Sequence, residues 1–384
     1  MTETRTARAR TDTAAETVWR WIHECGNARR RELVGKLVTD GFRIHGTAWM
    51  GPAWTGADLR GPDACRAWLL TLHRAFPDLT TTVDDLFCAG DRVVARITHR
   101  GSHRGPWLGL APTGRAVEFS QTLICRTENG HIAEIWQELD GLGLLITLGG
   151  APPMGTAGPG QALRWAAAAA ARTALNRVPQ DRPWPWRGTG WQSVPPFPGP
   201  LSGTGDPDGT DLAANEKALH RWIDECVNEQ AVHICSEIFH ETYLGHSPPH
   251  AEPEPLHGPE GYDRFIRGIL TGFPDAHATI EDMVSAGDRV CCRVRMTGTH
   301  RGVYRDLTPT GRRFTMSQIV VCRMVDGKIA ESWQEIDGAG LLLQLGYVPR
   351  PGSRPSAMLT WFLRLGASLA GAGRHSRAEG ADRG

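Results

Sequence analysis

The chain repeats itself, and the repeat decides what it can fold into. Gly90-Asp91-Arg92-Val93 returns 197 positions later as Gly287-Asp288-Arg289-Val290, and Trp136-Gln137-Glu138 returns at the same offset as Trp333-Gln334-Glu335. Phe76-Pro77-Asp78, His103-Arg104-Gly105 and Pro112-Thr113-Gly114-Arg115 recur in register as Phe273-Pro274-Asp275, His300-Arg301-Gly302 and Pro309-Thr310-Gly311-Arg312. Upstream the offset is 201, pairing Trp21, Ile22, Cys25 and His45 with Trp222, Ile223, Cys226 and His246, so one loop changes length by four residues. A unit of roughly 130 residues is too long for a solenoid repeat and has the size of an independent domain. The chain therefore carries one fold twice, over 16–150 and 211–348, with a tail at 1–15, a linker at 151–210 and a further segment at 349–384.

Within each unit the hydrophobic period changes once. Val18, Trp19, Ile22 and Cys25, and Leu219, Trp222, Ile223 and Cys226, are spaced by three and four and predict an opening amphipathic helix. A short extended segment ends in His45 or His246, and Gly61-Pro62 or Gly258-Pro259 opens a second helix that Phe-Pro-Asp stops. Period two then takes over through 92–99, 117–126 and 132–139, with Asn129-Gly130 and Asp326-Gly327 as hairpin turns. Helices first and strands afterwards predict an α+β layer with helices on one face of an antiparallel sheet. In the linker, six alanines from Ala166 to Ala171 follow Leu163-Arg164-Trp165 and predict one helix; Met358 to Leu365 predicts another, far short of the ~20 residues of a membrane span.

Forty-two basic residues balance 42 acidic ones, so no global field draws the chain to nucleic acid or to an anionic membrane. Nine cysteines, an odd number without a CxxC or other zinc spacing, read as buried free thiols, and the Arg- and Thr-rich start lacks the apolar core of a signal peptide; together these predict a reducing, cytoplasmic setting. His246, His250 and His257 with Glu252 and Glu254 have no counterpart in the first unit, and prolines break helical pairing between them, so no metal site is expected there.

Strand parity supplies the site. Val93, Ala95 and Ile97 share a face that runs on to His99 and His103, and Val290, Cys292, Val294 and Met296 share one that ends at His300. Gln121 interrupts the apolar row of Phe119, Leu123 and Cys125; Gln137 interrupts that of Ala133, Ile135 and Leu139; Gln318 and Gln334 do the same in the second unit. A buried polar side chain without a partner costs roughly 1 to 3 kcal/mol, so these groups either bond one another or the backbone, or face a pocket. Asp140 and Asp337 precede Gly-Leu-Gly-Leu and Gly-Ala-Gly-Leu, where a carboxylate either caps a turn or acts as a base at the pocket mouth. His45 and His246 are either loop histidines or acid/base groups.

These motifs in this order, Gly-Asp-Arg-Val, Gly-Ser/Thr-His-Arg-Gly, Pro-Thr-Gly-Arg, Ile-Ala-Glu and Trp-Gln-Glu-Leu/Ile-Asp, resemble the SnoaL-like polyketide cyclases, also called ester cyclases. The resemblance implies a cone of helices wrapped on a curved, mainly antiparallel sheet, as in nuclear transport factor two, twice in tandem. It also implies an apolar cavity for a bulky small molecule, a pseudo-dimer of the two copies with a further homodimer open, and aldol-type ring closure in secondary or antibiotic metabolism without metal or cofactor. The family's acid/base Asp aligns with Gln137 and Gln334, and an amide cannot accept the α-proton. The expected catalytic set is therefore Asp140, His103 and Gln137 with Asp337, His300 and Gln334, and the substrate-binding set His45, Gln121, Trp136, His246, Gln318 and Trp333. Two other functions stay open: epoxide hydrolysis or opening, which needs a carboxylate pair or a carboxylate with water in the pocket, and ligand binding without turnover.

Overall fold

In the computed structural model the described residues are 13–46, 60–150 apart from 109, 194–200, 211–247 and 254–347 apart from 306. The helices expected near 166–171 and 358–365, and His250 with Glu252, lie outside them.

The opening helix runs over 13–20 and widens to π geometry at Trp21–Asn27; its counterpart runs Leu212–Arg221 and widens at Trp222–Asn228. The wider turn occurs at the same place in both copies, where Trp21, Ile22 and Cys25, or Trp222, Ile223 and Cys226, are buried. After a one-turn helix, β1 (Val38–His45) leads to a covering helix, Gly61–Ala75, with Pro at its first turn. Next come β2 (Thr80–Ala89), β3 (Arg92–Ser102), β4 (Ala116–Glu128), β5 (His131–Leu139) and a closing helix, Gly141–Leu148. The second domain repeats this as β6 (Phe239–His246), a two-residue β7 (Leu256–His257), a covering helix Gly258–Gly272, β8 (His277–Ala286), β9 (Arg289–Thr299), β10 (Arg313–Val325), β11 (Lys328–Ile336) and a closing helix Gly338–Leu345.

Strand order is β1-β5-β4-β3-β2 in one sheet and β7-β6-β11-β10-β9-β8 in the other. The β1–β5 and β6–β11 pairs are parallel and all others antiparallel. Asn129 and Gly130 both take positive φ, the requirement of a tight hairpin turn that Asn-Gly meets without strain. The α+β class and the strands expected from period two are present. The sequence analysis missed β2 and β8, whose alternation is broken by a register shift between Val83 and Asp85 and between Ile280 and Asp282. Such bulges bend a sheet, and helices then cover the hollow side.

The apolar core lies between helices and sheet. Val93, Ala95, Ile97, Leu123, Cys125 and Ile135 face Trp21, Ile22, Cys65, Leu69 and Leu72, all at most 6 % exposed. All nine cysteines are free and buried. Among the described residues no helix is long and apolar enough to cross a membrane.

Candidate active site

Each hollow keeps a pocket between the covering helix, the opening helix and β3–β4. In the first domain it measures about 380 Å³ and is lined by Trp21, Ile22, Trp68, Leu69, Leu72 and Ile97 with the polar groups His73, Thr81, His99 and Gln121. In the second it measures about 720 Å³ and is lined by Trp222, Tyr262, Phe265, Phe273, Met296, Phe314 and Met316 with Gln318 and Gln334.

The first pocket holds a directed chain of hydrogen bonds. Thr81 Oγ1 lies 2.9 Å from His99 Nδ1, and His99 Nε2 lies 2.8 Å from Gln121 Oε1. Because an amide oxygen only accepts, Nε2 carries the proton and Nδ1 accepts from the threonine hydroxyl. Gln121 Nε2 then donates to Gln137 Oε1 at 2.5 Å. The chain ends on Gln137 Nε2, a buried amide nitrogen with no hydrogen-bond partner. Burial lowers the His99 imidazole to about 4, against a smaller opposite effect of Gln121, so it is neutral at neutral pH.

His73, on the covering helix, is 6 % exposed. Its Nδ1 is buried without a partner while a backbone hydrogen bond with Gly26 engages the ring, which leaves Nε2 for that carbonyl and a lone pair on Nδ1. Burial first, then the Arg29 and Arg31 guanidinium groups, push this imidazole down to about 3.

In the second domain the amide pair runs the other way: Gln334 Nε2 donates to Gln318 Oε1 at 2.6 Å. Position 296 is Met where the first domain has His99, so no N–H claims the Gln318 oxygen and it is free to accept from its neighbour. His73 is replaced by Leu270 and Thr81 by Ala278.

Of the twelve residues expected from the sequence, the four glutamines meet as two bonded pairs, with Gln121, Gln318 and Gln334 on the pocket walls. The other eight sit elsewhere. Asp140 and Asp337 are N-caps of the closing helices, accepting from Gly143 N and Gly340 N at 2.8 Å, and neither is among the described residues that line a pocket. A side chain on the capped glycine would collide with the aspartate, since a Cβ there would lie 2.1 Å from its Oδ2.

His103 and His300 are fully buried against Phe76 and Phe273, with Nδ1 3.1 Å and 3.3 Å from the hydroxyls of Thr113 and Thr310. They fasten the Pro-Thr-Gly-Arg loops and do not line the pockets. Gly105 and Gly302 beside them let the loop approach the covering helix, where a Cβ would lie 1.9 Å from a backbone oxygen.

Trp136 and Trp333 alternate with Gln137 and Gln334 along one strand, so when the glutamines point inward the tryptophans point out. His45 stacks on Trp136 and His246 on Trp333, at ring-centroid distances of 5.1 Å and 5.4 Å, and His246 also bonds Glu331 at 2.9 Å. These four are outer-face residues. The sequence analysis missed His73, His99 and Thr81 as site groups; the available signal was that each is polar in the first copy and apolar in the second.

Neither pocket is lined by a carboxylate among the described residues. No group of three or more His, Cys, Asp or Glu among them is placed to hold a metal ion.

Comparison with known proteins follows the same two blocks. The profile of a family described as SnoaL-like polyketide cyclase matches residues 16–148 and again 217–345. The aklanonic acid methyl ester cyclase DnrD of Streptomyces peucetius is 31% identical over 129 residues, covering 33% of this chain and 88% of that protein. The aklanonic acid methyl ester cyclase DauD of Streptomyces sp. (strain C5) is 34% identical over 114 residues, covering 29% of this chain and 70% of that protein. Among solved structures, TsrD from Streptomyces laurentii is 27% identical with a TM-score of 0.33, covering 36% of this chain and 98% of that one.

Proposed function

Because the chain belongs to the SnoaL-like polyketide cyclase family, we propose that its first domain closes a ring in a bulky, largely apolar polyketide ester by intramolecular aldol addition, as part of secondary metabolism. The observation that carries this reading is an imidazole lone pair, on His73 Nδ1, in the apolar lining of the first pocket, with the lining residue Gln121 bonded to and polarising the buried amide of Gln137 behind it.

In the proposed reaction His73 Nδ1 takes a proton from the substrate carbon flanked by carbonyl groups. The electron pair left on that carbon becomes an enolate, whose oxygen accepts a hydrogen bond from the Gln137 amide. Each bond in the row Thr81, His99, Gln121, Gln137 polarises the next, so the terminal N–H is a better donor than an isolated amide. The enolate carbon attacks a second carbonyl of the same molecule, one C–C bond forms, and the new alkoxide recovers the proton from the His73 imidazolium. A dry pocket depresses the basicity of a free imidazole, but an imidazolium formed beside an enolate is half of an ion pair, and the same dryness strengthens that attraction.

The finer assignment of partners belongs to the same proposal: the two domains pair as a pseudo-dimer through the outer faces of their sheets. Supporting it, Phe87, Val94 and Ile124 share a buried apolar cluster with Val284, Cys291, Ile319 and Val321. Arg92 Nη1 lies 2.7 Å from Asp282 Oδ2, Arg289 Nε 3.2 Å from Asp85 Oδ2, and Arg96 sits 4.6 Å over the Trp333 ring. The outer tryptophans would then be interface residues.

The test is turnover of aromatic polyketide methyl esters, aklanonic acid methyl ester among them, by the full chain and two variants. His73→Gln is expected to lose at least about a hundredfold in kcat, the lower bound for removing a general base, while Asp140→Asn retains kcat. Full turnover by His73→Gln would end this assignment.

A further inference from the structure

The two pockets differ in a concerted way. Every first-domain group able to accept or relay a proton, His73, Thr81 and His99, is replaced by a hydrocarbon or thioether, Leu270, Ala278 and Met296, while both glutamines are kept. If the second hollow had become filler, its amide pair could have been exchanged for hydrocarbon at little cost, as the imidazoles were. Instead the hollow is larger, about 720 Å³ against 380 Å³, and the glutamines form its polar spot.

Two substitutions shrink side chains around the second hollow: Met316 stands where the first domain has Phe119, and Phe265 replaces the larger Trp68. The walls are held open by aromatic contacts among themselves: Phe273 meets Phe314 and Tyr304 at centroid distances of 4.8 Å and 4.9 Å, and Trp222 donates its indole N–H to the Tyr262 hydroxyl. That bond uses the indole's only donor, so these walls offer chiefly ring faces and edges. Arg305 lines the same pocket where the first domain has Leu108, adding a guanidinium to an otherwise neutral lining.

We propose that the second domain is a ligand-holding domain: its pocket binds a flat, polycyclic aromatic molecule, with a carbonyl or hydroxyl edge on the Gln318–Gln334 pair, and does no chemistry on it. Aromatic walls in mutual contact favour a planar π-system over a flexible chain. With no imidazole or carboxylate among the described lining residues, a bound β-carbonyl compound keeps its α-proton. That the held molecule is the substrate or ring-closed product of the first domain rests on the proposed function; that the pocket binds such a molecule does not.

The experiment is isothermal titration of the full chain with anthraquinone-2-carboxylate as the probe, with melting temperature measured on every variant. Ile266→Trp fills the second pocket and is expected to abolish the second-domain binding site; should it melt early, the milder pair Gln318→Leu and Gln334→Leu is expected to weaken that site at least tenfold. His73→Gln is expected to keep the site and, given a polyketide ester, to release it unchanged. Binding of wild-type strength and stoichiometry in both pocket variants, with melting unaltered, overturns the holding role. Conversion of the ester by His73→Gln overturns the reading of the first domain while leaving the probe result intact, so the two failures are distinguishable.

Discussion

Replacing His99 with Met gives the first pocket the side chain that the second has at that place, and its effect on stability reverses with pH. His99 donates to Gln121 Oε1 at 2.8 Å and accepts from Thr81 at 2.9 Å. Losing it strands the threonine hydroxyl, while the Gln121 amide can turn over and accept from Gln137, as Gln318 does from Gln334. One buried hydroxyl left without its partner costs about 1–3 kcal/mol, so the variant is expected to be less stable by that amount at pH 8. The sign of the pH effect follows from the direction of the shift. The folded-state imidazole titrates at about 4, below its ordinary 6.5, so its contribution is complete above 6.5 and is lost as the pH falls from 6.5 towards 4. Integrated to pH 5 the loss in the wild type is about 2 kcal/mol, and the variant does not share it. Urea unfolding followed by tryptophan fluorescence, at half-unit steps from pH 8 to 5, should therefore show the two stabilities converging by about 2 kcal/mol, with the variant level or ahead at pH 5. Parallel curves across the whole range would refute the claim that His99 is buried neutral in a closed network.

The proposed seam between the domains gives the opposite pH dependence. Glu335 is pushed up to about 8 by burial and then by Asp140, opposed by Ser120 and Arg96; Glu138 is raised well above its usual range by burial and by Asp337 and Glu335, opposed by Ser317 and Arg293. A raised carboxyl contributes most below about 4.5 and loses that contribution as the pH rises towards 8, so Glu335→Gln is expected to raise the melting temperature at pH 8 and leave it unchanged at pH 5. Equal shifts at both pH values would contradict this. Asp140→Ala and Asp337→Ala should each cost about 1 kcal/mol by urea unfolding, the worth of an N-cap, with turnover per folded molecule retained; a lost kcat at full folding would restore Asp140 as a base. Gly105→Ala forces a Cβ to within 1.9 Å of Arg74 O, and the first domain should melt several degrees earlier, whereas an unchanged melting curve would mean that the loop is free to move.

Much of this was legible before the structure. Motifs recurring at a constant offset made the two copies visible, and the switch from period 3.6 to period two located the opening and covering helices and three of the strands in each copy. The strand at Thr80–Ala89 was not visible because its bulge at Val83–Asp85 puts Asp84 and Asp85 out of step with the alternation. Parity alone put the four glutamines on the inner faces, with bonding between them one of the open alternatives, and the same parity, applied to the adjacent residue, would have placed Trp136 and Trp333 on the outer face. Asp-Gly-Leu-Gly carried both of its readings in equal measure, since a cap and a base both want a carboxylate just before a helix. His73 was hidden for a different reason: it belongs to a helix 26 residues before His99, and only the curvature of the sheet brings the two to one pocket.

The measurement that bears most directly on the whole account is solvent-deuterium incorporation at the α-carbon of an aromatic polyketide methyl ester, compared between the wild-type chain and His73→Gln with both shown to be folded. If the first domain alone carries the proton-accepting imidazole, exchange and ring closure both fall at least about a hundredfold in the variant while the ester still binds. Exchange at the wild-type rate in His73→Gln would mean that the proton is taken by another group.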